Sequence, residues 1–259
     1  MKKQQFVFHL LVALLLMPAP GCDRDKDDND AITVIKASGD ISTAMNQFRQ
    51  LLGSTLNTTP GAVGGRREIN WDGIPDSLLG KQLPDRFFNP VGNDPALAAR
   101  QRGLVYAPTP APGGQFMVSN TRFNNVNSEA APEFEAFSGD KTFANVNSVL
   151  WQIDPEVPGL AQAATIKGFG IVFSDVDEDS STFIEFFNEN RSLGKFFAPK
   201  HDAAGNHSFL GVYFKNEKVT SIRVGHEGFL ASGEKDVTQG GTHDLVVLDD
   251  FLYDEPVKK

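Results

Sequence analysis

The chain of 259 residues contains a single cysteine, Cys22, which excludes an internal disulfide and a thiolate zinc site. Basic residues are scarce: 24 Lys and Arg against 33 Asp and Glu leave a net charge of −9. That balance argues against binding to a phosphate backbone, so no nucleic-acid partner is expected. Trp and Tyr are rare, two and three against 21 Phe, which assigns most of the aromatic content to a core rather than to a sugar-stacking platform. No apolar run reaches the roughly 18 residues of a membrane-crossing helix. No G-x-S-x-G, H-x-H or H-E-x-x-H occurs, which disfavours a nucleophile-elbow hydrolase and a histidine-based metal enzyme.

What is present begins with an export address. Lys2 and Lys3 form a positive start, and Phe6 to Met17 is an apolar run broken only by His9. As a helix it spans about 18 Å, short of the roughly 30 Å hydrocarbon core. Residues 1–21 therefore read as a signal peptide. Ala19-Pro20-Gly21-Cys22 resembles a lipobox, with Gly before the Cys but Ala19 where Leu is usual. The resemblance implies lipidation of Cys22 and an exported protein of the bacterial cell envelope. Its membrane contact would be through that anchor only, with the domain outside the cytoplasm.

Residues 22–39 read as a charged tether, opened by Asp23-Arg24-Asp25-Lys26-Asp27-Asp28-Asn29-Asp30. Losing Lys2 and Lys3 on export moves the net charge from −9 to −11. Residues 40–65 carry an amphipathic helix and a linker. Ile41, Ala44, Met45, Phe48, Leu51 and Leu52 share one stripe, with Asp40 as N-cap and Gly53 as stop. The stripe has to pack on something: the domain behind it is expected, with a groove on a partner protein as the alternative.

From 66 to 258 the period changes to two. Short runs rich in Val, Ile, Phe and Thr alternate with turn residues, and no helical stripe lies between them. The expectation is an all-β, antiparallel two-sheet jelly-roll sandwich preceded by one short amphipathic helix. Residues 76–102 and 226–243 are rich in Pro, Gly and Asp and read as the long loops where a binding site would sit.

Two acidic motifs stand out. Asp175, Asp177 and Asp179 follow the apolar run Phe169 to Phe173 and would point the same way if the chain stays extended. Hard oxygen donors at this density suit Ca²⁺. Asp249-Asp250 interrupts the apolar run Leu245 to Tyr253. Adjacent strand residues face opposite ways, so one of the two is expected to point inward. A buried carboxylate needs a metal, an Arg or backbone N–H groups, and Arg66, Arg67 and Arg223 are the cations considered. Glu133-Phe134-Glu135 would put two carboxylates on one strand face. His201, His207, His226 and His243 read as exposed loop residues. Trp71 is the foremost ligand-binding candidate among the aromatics, although its place in a strand pattern makes core packing the more frequent fate.

The aliphatic-Asp-Asp-aromatic ending resembles the last strand of calcium-carrying jelly rolls, among them many carbohydrate-binding modules and MAM-type domains. That resemblance implies a structural calcium stapling the chain ends, with Asp72 joining Asp249 or Asp250. The segments Arg67 to Pro75, Gly168 to Asp177, Ser208 to Val212 and Val247 to Phe251 resemble a group of bacterial exported jelly-roll proteins with no established activity. The expected role is a non-catalytic envelope module that binds a glycan or another envelope component. Alternatives are a carbohydrate-active hydrolase with a loop carboxylate pair and a purely structural envelope protein.

Overall fold

The computed structural model describes residues 31–108, 115–202 and 205–259; the signal peptide and Cys22 lie outside them. Fourteen strands are present among the described residues. The larger sheet runs in the order β4 (Phe116–Ser119), β5 (Thr142–Asn145), β13 (Val247–Asp254), β8 (Gly168–Ser174), β11 (His207–Phe214), β1 (Ile32–Ser38), and β2 (Arg66–Ile69) also pairs with β13. The second sheet runs β10 (Arg191–Phe197), β9 (Phe183–Asn188), β12 (Ser221–Gly225), β6 (Leu150–Pro155), β3 (Leu104–Pro108). A short ribbon joins β7 (Ala164–Thr165) to β14 (Val257–Lys258). Both main sheets are antiparallel throughout.

Alternation along the strands explains the layering. Phe169, Ile171 and Phe173 of β8 meet Trp151, Ile153, Ile184, Phe186 and Ile222 of the second sheet in one core. This is the expected β-sandwich. Trp71 stacks on Phe143 at 4.0 Å, meets Phe251 edge-on at 5.0 Å, and donates its indole N–H to the Asp249 carbonyl at 3.0 Å.

The opposite face of β8 is also covered, which is why all seven of its residues are buried. Helix α1 (Ser42–Leu52) lays Ala44, Met45, Phe48 and Leu52 against Val172, Phe209 and Leu252. Phe48 rests on a floor of glycines: a Cβ on Gly211 or Gly170 would come within 2.8 Å of its ring. The helix therefore docks on the sandwich as expected, although Leu51 stays exposed. Asp40 accepts from the Ser42 N–H, and the Gly53 N–H returns to the Arg49 carbonyl.

The tether ends earlier than composition suggests. Residues 32–38, Ile-Thr-Val-Ile-Lys-Ala-Ser, form β1 and pair with β11 in seven register positions from Ile32↔Phe214 to Ser38↔Ser208. A strand thus precedes the helix, and the folded unit begins well before residue 66. The β-branched residues at 32 to 35 carried this signal, masked by the neighbouring charge run.

Candidate functional site

One end of the sandwich gathers carboxylates from segments far apart in sequence. Strand β8 ends at Ser174, and Asp175 follows in a left-handed turn (φ 69°) with its N–H on the Asn206 carbonyl. Glu133 closes a 3₁₀ turn (Ala131–Glu133), Asp236 caps another (Val237–Gln239), and Asp244 leads into β13. Three sets of donor atoms lie within 4.8 Å of one another: Asp175, Asp177 and His201; Glu133, Asp175 and Asp236; Asp177, Asp236 and Asp244. Asp175, Asp177 and Asp236 each belong to two of these sets, so the three sets adjoin in one acidic centre, although no single set holds all five acids.

Loop donors hold several of these groups in place. Asp236 accepts from the Thr238 N–H and hydroxyl through Oδ1, and from the Leu245 N–H at 2.7 Å through Oδ2. Asp244 Oδ2 accepts from the N–H groups of Asp177 and Glu178 and from the Ser181 hydroxyl. His201 Nε2 lies 3.0 Å from Asp177 Oδ1, and the Thr238 hydroxyl donates to Glu133 Oε1. Four buried oxygens have no partner: Glu133 Oε2, Asp175 Oδ2, Asp177 Oδ2 and Asp244 Oδ1. Among the described residues no Lys or Arg forms an ion pair with these five acids, and His201 is their basic neighbour.

The electrostatic consequence is large. Burial, reinforced by Asp177, Asp236, Glu133 and Asp244, pushes the Asp175 carboxyl up to about 9. Burial and the adjacent Asp236 raise Asp177. Burial lifts Asp244 to about 6 despite its hydrogen bonds. Empty of a cation, the centre must hold protons that acids of this type ordinarily release.

The sequence-derived metal residues divide between places. Asp175 and Asp177 come together across a left-handed turn at Asp175 rather than along an extended chain, and Asp179 accepts from the Lys200 N–H instead of joining them. Asp249 and Asp250 belong to none of the three sets. A register shift between Leu248 and Phe251 leaves the two in a bulge of β13, so strict alternation fails and both carboxylates turn to the same serine. The Ser138 hydroxyl donates to Asp250 Oδ1 at 2.6 Å, and the N–H groups of Phe137 and Ser138 donate to Asp249 Oδ2 at 2.6 and 3.3 Å. Backbone donors therefore meet the buried Asp249, with burial and Asp250 still raising its pKa. Asp72 accepts instead from the Asp140 N–H at 3.0 Å. The expected staple between Asp72 and the Asp249-Asp250 pair is not assembled.

The arginines considered for that pair are engaged elsewhere. Arg66 pairs with Glu68, Arg67 with the buried Glu255, and Arg223 lies over the Phe187 ring. Trp71 is fully buried, so it offers no face to a ligand; the aromatic pocket that surrounds it fixes it as core. His226 is buried rather than exposed, and His201 joins the acidic centre. The loop 226–243 supplied Asp236, but nothing in the spacing of Glu133, Asp236, Asp244 and His201 marked them as neighbours.

Glu133 and Glu135 also part company. Their segment is a 3₁₀ turn followed by irregular chain rather than a strand, so the two-residue spacing does not set them on one strand face. Glu133 enters the acidic centre, whereas Glu135 lines an open cavity of about 340 Å³ with Asn120, Arg122, Asp140 and Thr142.

No protein family model matches the chain, and no curated protein matches it. Among solved structures, a β-1,3-glucan-binding CBM6 from Bacillus halodurans aligns at 10% identity. The alignment covers 58% of this chain and 94% of that one, with a TM-score of 0.29. A likeness this distant carries no functional argument.

Proposed function

We propose that the chain is an exported, lipid-anchored envelope protein whose β-sandwich is a non-catalytic binding module for a glycan or another polyhydroxylated envelope component. The observation that supports this is the cavity of about 340 Å³ bearing Arg122, Asn120, Glu135, Asp140 and Thr142. Sugar hydroxyls both donate and accept, and this lining supplies donors from the guanidinium and amide beside acceptors from two carboxylates. Export and anchoring rest on residues 1–22, as read from the sequence.

The non-catalytic reading gains support from the separation of Glu133 and Glu135, the carboxylate pair that the sequence offered for hydrolysis. One observation favours the hydrolase alternative, since Glu135 and Asp140 share the cavity. Screening the full chain against a polysaccharide array, then following product release, separates the two. The expected result is retention of a glycan without turnover, with binding lost in Arg122→Ala and Asp140→Asn. Product release that vanishes in Glu135→Gln would establish the hydrolase instead. Retention of no glycan at all, with a crosslinked envelope protein recovered, would overturn both in favour of a structural role.

A further inference from the structure

We propose that the overlapping donor sets of Glu133, Asp175, Asp177, Asp236 and Asp244 bind calcium at the loop end of the sandwich, with His201 at their margin. Acidic clusters on surfaces are common without a metal, but this one is enclosed. Asp175 is 4% exposed and Asp244 is 0% exposed, and each aims an unpartnered carboxylate oxygen into the cluster. Glu133 Oε2 and Asp177 Oδ2 add two more buried oxygens without donors. A buried carboxylate oxygen without a hydrogen bond is costly, and calcium held among these acids offsets that cost for the three donors at a time that lie within 4.8 Å of one another.

The surrounding loops are organised to present these oxygens rather than to quench them. Asp244 uses Oδ2 for two N–H groups and a hydroxyl while Oδ1 stays free. Glu133 likewise spends Oε1 on Thr238 and keeps Oε2. Such outer hydrogen bonds orient metal-ligating carboxylates. The donors are overwhelmingly hard oxygens, which favours Ca²⁺ with its six to eight ligands over Mg²⁺, which retains most of its water. Zinc or manganese would draw on the His201 imidazole.

Calcium in this centre would fasten the end of β8 to the loop leading into β13, with the turn before β5 or the connection entering β11 beside it according to the donor set it occupies. The calcium expected from the last strand is thereby moved from Asp249 to a different set of ligands. No residue of this site lines the cavity of Arg122, and calcium binding does not depend on what that cavity holds.

The test is a calcium titration of the full chain stripped with EDTA, read by calorimetry and by melting temperature. Ca²⁺ at about 100 times its Kd is expected to raise Tm by about 5 °C or more. Mg²⁺ at the same concentration should do much less. The near-isosteric Asp175→Asn and Asp177→Asn variants are expected to lose the calcium response and to melt no lower than the native chain in EDTA, because each replaces an acid that the empty centre has to neutralise with a neutral amide. The Asp249→Asn variant should keep the response. No binding heat and no Tm shift with Ca²⁺ would overturn the site. So would a response that survives in Asp175→Asn and disappears in Asp249→Asn. Tighter binding of Zn²⁺ or Mn²⁺ than of Ca²⁺ would overturn the assignment of the ion.

Discussion

Single residues in this protein take their chemistry from enclosure more than from type. His226 sits buried beside the Thr182 hydroxyl, and burial alone pushes its imidazole down to about 4. In the unfolded chain it titrates near 6.5. Between these values the unfolded state binds the extra proton, so stability falls as pH drops from about 6.5 to about 4. The full effect is about 3 kcal/mol. Asp254, lifted to about 6 by burial, works in the opposite direction over part of this window. The measurement is therefore the difference between native and His226→Gln denaturation curves from pH 4.5 to 7.5, and the native chain should lose more stability on the acid side. Parallel curves would mean that the imidazole is free to take its proton in the folded state.

Among residues, Trp71 takes the core position that its strand pattern favoured over a ligand-binding role. It sits in a 3₁₀ turn rather than a strand. The ring nevertheless points inward, because the indole N–H finds the Asp249 carbonyl made available by the β13 bulge. A buried Trp needs such a partner, and the partner is 178 residues away.

At the level of elements, the helix and most strands were legible because their periods are clean. The stripe from Ile41 to Leu52 could only be a helix with one buried face, and that face packs as expected. What it packs on was not legible. Gly168, Gly170 and Gly211 alternate along β8 and β11 on the side facing α1, where a Cβ would strike Leu52 or Phe48. These glycines let the helix approach closely rather than weaken the strands. Gly211→Ala is expected to destabilise the fold by about 1–3 kcal/mol through overpacking. The cost should shrink in a Phe48→Leu background, measured by a double-mutant cycle in urea. Equal losses in both backgrounds would show that the cost does not arise from the Phe48 ring.

Strand β5, with its four residues Thr142–Asn145, escaped detection because a run this short offers no period to count. The β13 bulge escaped for a related reason: a bulge is a property of two paired strands, and alternation read along one of them cannot show it. Hence Asp249 and Asp250 turn to one side although neighbours in a regular strand would diverge.

Across the whole molecule, β1 closes the edge of the larger sheet by pairing along the length of β11. A chain beginning at Asp40 should melt several degrees below one beginning at Ala31, and should self-associate through the bared β11 edge. Thermal melting and sedimentation of the two truncations measure this; equal melting points would return residues 32–38 to the tether.

Composition and period by themselves determined the all-β class, the amphipathic helix, the Phe-rich core and the acid character of Asp175 and Asp177, because these depend on neighbours along the chain. Only tertiary structure decided that Glu133, Asp236, Asp244 and His201 join those two aspartates, that Asp249 is met by backbone N–H groups, and that Trp71 is sealed in. Each of these depends on distances between loops brought together by the packing of two sheets. Sequence spacing leaves such distances undetermined, since a loop's end points are set by the strands that carry it.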